Sequence, residues 1–184
     1  MTKNKLIKVS LLIFAVVLLA GCSNNININS NNNNNINNNQ SINKSDKETV
    51  TEDTSDMEKL SCTREANAGT GVDVDLSYEV YYQGEYIQIL HSIEAITTEN
   101  QDTLDEYETA YKSIAKNYEG LKYYDQTVTR TNNKVSNDTV INYGKIDTNK
   151  LLEIEGEEDN IIKDGKVKLN DWLSFAKKFG TKCE

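Results

Sequence analysis

Three cysteines and one histidine are the most chemically versatile side chains in this 184-residue chain, and their spacing assigns them different work. Leu19-Ala20-Gly21-Cys22 closes a segment that opens with Lys3, Lys5 and Lys8 and continues through an apolar run over residues 11–19. A positive start, a short apolar core and small residues at the end make the pattern of an export signal. The run is too brief for a bilayer-spanning helix, which needs about 20 apolar residues. Its last four residues have the form of a bacterial lipobox. Ala20 and Gly21 are small enough to fit a peptidase groove, and the Cys22 thiol takes a diacylglycerol before cleavage leaves it as the first residue. Two acyl chains anchor stably, whereas one holds only marginally. Lipidation of Cys22, with palmitate among its chains, predicts the bilayer as a partner and the extracytoplasmic face of the cell membrane as the location.

Cys62 and Cys183 remain, one before the first clear strand pattern and one after the last helix pattern. Exported proteins meet a non-reducing setting, in which such pairs close. No C-x-x-C spacing is present, and only Arg64 and Lys182 stand nearby to activate a thiolate. A structural disulfide joining Cys62 to Cys183 is expected, against two free thiols or a redox pair.

The remaining residues offer little catalytic chemistry. His91 is the single histidine, which rules out a multi-histidine zinc site. It lies in "IQILHSIEA", in alternation with Ile87, Ile89 and Ile93, and reads as a hydrogen-bonded core residue ahead of a general base. Gly69-Thr70-Gly71 is too short for a phosphate cradle, and no H-E-x-x-H, G-x-S-x-G or P-loop pattern occurs. Glu157-Glu158-Asp159 crowd one acidic loop. Tyr81, Tyr86 and Tyr124 fall off the expected core face, as half-exposed strand residues or as the lining of a binding surface. Read as a calcium loop, "NIIKDGKVKLND" puts Asn160, Asp164, Gly165 and Asp171 at positions 1, 5, 6 and 12. Ile162 and Lys168 occupy positions that need oxygen ligands, so a D-G turn before a helix explains the residues equally well, and weak calcium binding is the lesser reading. The expectation is no catalytic residue, no metal and no cofactor.

The formal charge is −9, and the first eight residues hold three lysines and no acid, so the rest carries −12. Such a body argues against nucleic acid, whose phosphates require basic neutralisation. Residues 24–43 contain thirteen asparagines and no hydrophobic period, a composition unable to bury enough apolar surface to offset ordering entropy. The organisation expected is a signal peptide over 1–21, a disordered Asn-rich linker over 22–56 and one domain over 57–184.

Within that domain "VDVDLSYEVYY" alternates, with Val72, Val74, Leu76, Tyr78, Val80 and Tyr82 on one face. Gln83-Gly84 offers a turn, and "EYIQILHSIEAIT" returns as the second strand. Leu104, Tyr107, Tyr111, Ile114, Ala115 and Tyr118 form a helical stripe. Asn100 or Thr103 can cap its start, and Gly120 ends it, followed by Leu121. Asn132-Asn133 separates two β-leaning runs, a second hairpin. Asp147 caps a short helix, and Asn170 caps a last one that places Trp172, Phe175, Ala176 and Phe179 on one face before Gly180. The order ββαββα implies an α+β fold, with an antiparallel sheet of about four strands and helices on one face.

The tyrosine-rich first hairpin, "LDEYETAYKSIAKNYEGL", "LKYYDQTVTRT", "YGKIDTNKLLEI" and "LNDWLSFAKKFG", together with the lipobox, resemble the YehR-like family of bacterial lipoproteins. The likeness spans residue 60 to the end. It implies the same α+β fold and an envelope location, and it carries no active-site residues. The cysteine pair and the asparagine tract depart from that family. The function expected is a non-enzymatic cell-envelope module that binds an envelope protein or a small ligand. A structural accessory subunit of an envelope or membrane-protein complex, docked through a strand edge, is the alternative.

Overall fold

The computed structural model describes residues 53–67, 71–156 and 160–184. The segment expected to be a signal peptide, Cys22, the asparagine tract, Gly69-Thr70 and Glu157-Glu158-Asp159 lie outside the described residues. No helix among the described residues is long and apolar enough to cross a membrane.

Among the described residues, eight strands and three helices follow one another as β1 (Glu58–Asn67), β2 (Asp73–Gln83), β3 (Tyr86–Thr97), α1 (Gln101–Asn117), β4 (Tyr124–Arg130), β5 (Lys134–Asn142), α2 (Thr148–Glu155), β6 (Ile162–Lys163), β7 (Lys166–Val167), α3 (Leu169–Lys178) and β8 (Lys182–Cys183). Six of the strands form one sheet in the order β4-β5-β3-β2-β1-β8, with every pairing antiparallel. The fold is α+β as expected, but the sheet has six strands rather than about four. The additions are β1 and β8, which lie side by side at one edge.

Among the described residues, helices pack against one face of this sheet. Val74, Leu76, Tyr78 and Val80 of β2 align in register with Ile96, Glu94, Ser92 and Leu90 of β3, and these with Val135, Asn137, Thr139 and Ile141 of β5. Leu104 and Tyr111 of α1, Leu151 of α2, and Trp172 and Ala176 of α3 close on that face in one continuous core. Trp172 meets Tyr78 edge-on, with ring centroids 5.4 Å apart.

The phase of β3 changes at a bulge. Tyr81 pairs with Ile89 but Tyr82 with Ile87, which leaves Gln88 as the extra residue. Ile87 therefore points into the core while Ile89, His91 and Ile93 point to the other face. This corrects the expectation that all four share one side and that His91 is a core residue.

Local signals set the helix ends. The Asn100 side chain accepts from the Thr103 backbone N–H, so Asn100 rather than Thr103 caps α1, and Gly120 takes the left-handed φ of 82° after its end. Asp147 caps α2 by accepting from the Lys150 N–H. Asn170 does not cap α3. Lys168 stands at that position without a side-chain cap, because its bridge to Tyr86 and the Leu169 N–H bond to the Glu85 carbonyl fix where the helix begins.

Cys62 and Cys183 are joined in a disulfide, as expected. They lie opposite each other in register, flanked by a Ser61–Glu184 pair that exchanges both backbone hydrogen bonds. Theirs is thus the closely spaced position of an antiparallel ladder. The cross-link encloses a sequence separation of 121 residues. Replacing both cysteines by serine is expected to lower unfolding free energy by about 4–5 kcal/mol in the chain-entropy description. Urea denaturation of the oxidised protein and the double variant measures it, and equal midpoints would count against the bond as a stabilising element.

Candidate functional site

Two sets of ionisable groups stand out, and the sheet lies between them. The first lies on the face without helices. His91 Nε2 is 2.8 Å from Asp138 Oδ1, and its Nδ1 is 3.9 Å from Glu79 Oε2. Glu79 also accepts from Lys59 and, at 3.0 Å, from the Tyr81 hydroxyl. The Lys59 ammonium lies 5.6 Å from the centre of the Tyr81 ring. Register explains the grouping. Lys59 is opposite Tyr81, Glu79 is opposite His91, and Asp138 is one diagonal step along β5.

Within this row the bond from Lys59 holds the Glu79 carboxyl below its ordinary range, with help from Tyr81 and from the charge of His91. The same bond raises Lys59. Partial burial raises Tyr81, reinforced by its bond to Glu79. The groups satisfy one another and do not converge on a shared open point. Among the described residues no three His, Cys, Asp or Glu side chains are placed to hold a metal.

The second set is buried beneath the helices and went unnoticed in the sequence. Glu94 is 6 % exposed and Glu155 8 %. Burial pushes each up to about 7. For Glu94 the neighbouring Tyr111 hydroxyl and the Arg64 charge pull the other way. The hydroxyls of Tyr78 and Tyr111 and the Arg64 Nη1 are buried without a completed hydrogen bond. Glu155 accepts from Asn160 Nδ2 at 3.1 Å and from the Tyr118 hydroxyl at 3.4 Å. Tyr78, Tyr111, Tyr118, Tyr124 and Tyr143 are all raised, first by burial and next, except at Tyr78 and Tyr111, by the Glu155 charge; at Tyr78 and Tyr111 the second cause is Glu94. The sequence signal was present: Glu94 alternates with Leu90, Ser92 and Ile96, and Glu155 sits one helical turn after Leu151.

The other sequence-derived residues separate. Tyr81 stands on the helix-free face, and Tyr86 lies beneath Lys166 at 4.8 Å. Tyr124 is on the core face, stacked on Tyr118 with centroids 4.2 Å apart, so it lines no outer surface. The calcium-loop reading meets a hairpin. Ile162–Lys163 pairs with Lys166–Val167 across Asp164 and Gly165, both at positive φ, 51° and 72°. That is the backbone of a two-residue D-G turn. The Asn160 side chain is occupied by Glu155, the Gly156 carbonyl and the Ile162 N–H.

No family model matches the chain, and no curated protein matches it. Among solved structures it is similar to the NMR structure of the E. coli YehR protein, at 16 % identity over 69 % of this chain and 91 % of that one, with a TM-score of 0.50. An NMR structure of a protein from Streptococcus pneumoniae TIGR4 covers 87 % of this chain and 100 % of its own at 11 % identity and a TM-score of 0.46. The first likeness shows a YehR-like fold.

The raised carboxylates make stability depend on pH in a fixed direction. A carboxyl that is harder to ionise in the folded state stabilises fully below about pH 4.5, and that contribution is lost as pH rises through about 7. The wild-type protein is expected to lose stability across that window. Glu94→Gln should match it near pH 4 and exceed it by about 3 kcal/mol near pH 8, from a rise of roughly two units or more. Urea midpoints at the two pH values measure this, and a variant less stable than wild type near pH 8 would refute the assignment.

Proposed function

We propose that this chain is a lipid-anchored envelope protein of the YehR-like kind, whose domain serves as a non-enzymatic binding module for an envelope protein. The lipobox at Cys22 and the asparagine tract behind it support the anchor and the spacer. One observation carries the binding role. The sheet packs its helices on a single face and presents on the other a cross-strand row of Lys59, Glu79, Tyr81, His91 and Asp138, with Ile93 half-buried among them. A surface of paired charges around an aromatic ring suits a protein partner, since the charges select register and the ring supplies contact area.

A second reading is favoured by the edge strand β4, which pairs only with β5 in the sheet order. A structural accessory role would then use strand addition at Tyr124–Arg130. A small ligand remains the third occupant.

In-cell crosslinking followed by mass spectrometry, with radiolabelled palmitate as a parallel readout, tests the proposal. Palmitate is expected on the wild type and not on Cys22→Ala, and the partner set should collapse in that variant. Tyr81→Ala should remove the same partners while leaving the thermal midpoint within a few degrees, as surface changes do. Unlabelled wild-type protein would remove the anchor, and partners unaffected by Tyr81→Ala would redirect attention to β4.

A further inference from the structure

The buried cluster around Glu94 holds opposite charges that do not close on each other. Arg64 of β1, Leu76 of β2, Glu94 of β3 and Asn137 of β5 stand in one cross-sheet line on the helix side. Two strand spacings, about 10 Å, separate the backbones of Arg64 and Glu94 along that line. Among the described residues Arg64 makes no ion pair with Glu94. Its Nη1 is buried without a hydrogen-bond partner, and so are the hydroxyls of Tyr78, two residues along β2, and Tyr111, on α1. Tyr78 is 3 % exposed and Tyr111 1 %. The Glu94 charge acts on both hydroxyls and on that of Tyr107, whose ring centre is 6.2 Å from that of Tyr111.

Protein interiors leave few polar groups unpaired, because each gives up hydration and gains nothing in return. Here three such groups surround one carboxyl, with hydrogen-bonding capacity to spare. Solvent meets the cluster at its rim, where Arg64 and Tyr107 are half-buried. Water can complete a hydroxyl, but it neutralises neither the guanidinium nor the carboxylate. An anion alone would satisfy Arg64 and be repelled by Glu94, and an amine alone would do the reverse. A molecule with an ammonium and a carboxylate on neighbouring atoms satisfies both.

We propose that Arg64, Tyr78, Tyr111 and Glu94 bind the zwitterionic head of a free α-amino acid, its carboxylate on Arg64 and Tyr78 and its ammonium on Glu94 and Tyr111. The guanidinium donates to the carboxylate as a planar fork, and the Tyr78 hydroxyl donates to the same group. The ammonium donates to the Glu94 carboxylate and to the Tyr111 hydroxyl oxygen. Each buried charge then has its counterpart, and the filled site carries no net charge. The ligand's own side chain leads toward the rim between Arg64 and Tyr107. This site lies on the helix side of the sheet, so it stands apart from the Tyr81–His91 row and needs no lipid tether.

Proton release gives the site a signature. The charged and titratable groups acting on Glu94 or feeling its charge are Arg64 on β1, Tyr78 on β2, and Tyr107 and Tyr111 on α1. Burial holds the Glu94 carboxyl up to about 7, so near neutral pH it is partly protonated, and an ammonium beside it expels that proton. The test titrates the full-length protein with each of the twenty standard amino acids by calorimetry at pH 7, in buffers of differing ionisation enthalpy. Acetate and methylammonium serve as the separate halves of the zwitterion. At least one amino acid is expected to bind with release of part of a proton, and both halves should bind at least about tenfold more weakly. Glu94→Gln, which folds because it removes a buried charge, should weaken that amino acid by roughly tenfold or more, and Tyr111→Phe by about fivefold. Heat from none of the twenty would mean that water alone completes the cluster, and it overturns the proposal. Acetate binding as tightly as the best amino acid, or proton uptake on binding, would make this an anion site and overturns it too. Affinity unchanged in Glu94→Gln and Arg64→Gln would place the ligand elsewhere and has the same force.

Discussion

The pairing of β2 with β3 across the bulged Gln88 decides which face of the sheet receives His91 and which receives Glu94. Up to Ile87 the strand is in one phase, and from Ile89 onward it is in the other. A one-residue step of this kind exchanges the two faces of a strand. It puts His91 on the open face beside Asp138 and Glu79, and it puts Glu94 in the core beneath α1. The bulge is held by more than its own strand, because the N–H of Gly144, just past the end of β5, bonds to the Gln88 carbonyl. In a regular ladder with Gln88 paired and no bulge, the histidine would face the helices and the carboxylate would face solvent.

A core that keeps two carboxyl groups bears a cost that apolar residues of the same size would avoid. The cost is contained because burial suppresses ionisation and tyrosine hydroxyls surround the groups. Tyr111 on α1 and Tyr118 just after it face Glu94 and Glu155 respectively. Glu94 of the sheet thus faces α1, while Glu155 joins α2 to the residue that ends α1 by a hydrogen bond, which is directional where apolar packing is not. Their opposite counterpart, the row through Glu79, is solvated and mutually paired, and such exposed pairs contribute little to stability. The two sets therefore differ in setting: one lies in the core, and the other keeps contact with solvent.

Much of the fold was legible in the sequence, and the exceptions have physical causes. The alternation of β2, the stripe and cap of α1, Gly120, the two hairpins and the Asp147 cap all carry strong local signals, and each element is where those signals put it. Strand β1 was illegible because its inward positions are Leu60, Cys62, Arg64 and Ala66, of which one is strongly apolar. Strand β8 is two residues long and owes its place to the disulfide more than to propensity. The Asn170 cap failed because a tertiary contact, the Lys168–Tyr86 bridge, starts the helix earlier. At the candidate sites, residue types were visible but their faces were not, since a bulge has no sequence signature as clear as a Gly-containing turn.

The cross-link between Cys62 and Cys183 has a consequence beyond stability. β8 pairs through two residues and would by itself be a weak edge, and isolated pairing of that length is marginal in water. Once bonded, it fixes the segment after α3 to β1, the strand through which the preceding chain joins the domain. Any pull along that chain acts first on β1, whose ten paired positions with β2 share the load. Helix α3 is thus held at two points, by the disulfide to β1 that follows it and by Trp172 against Tyr78 of β2. The place of α3 against the sheet is accordingly fixed by covalent connectivity as well as by packing.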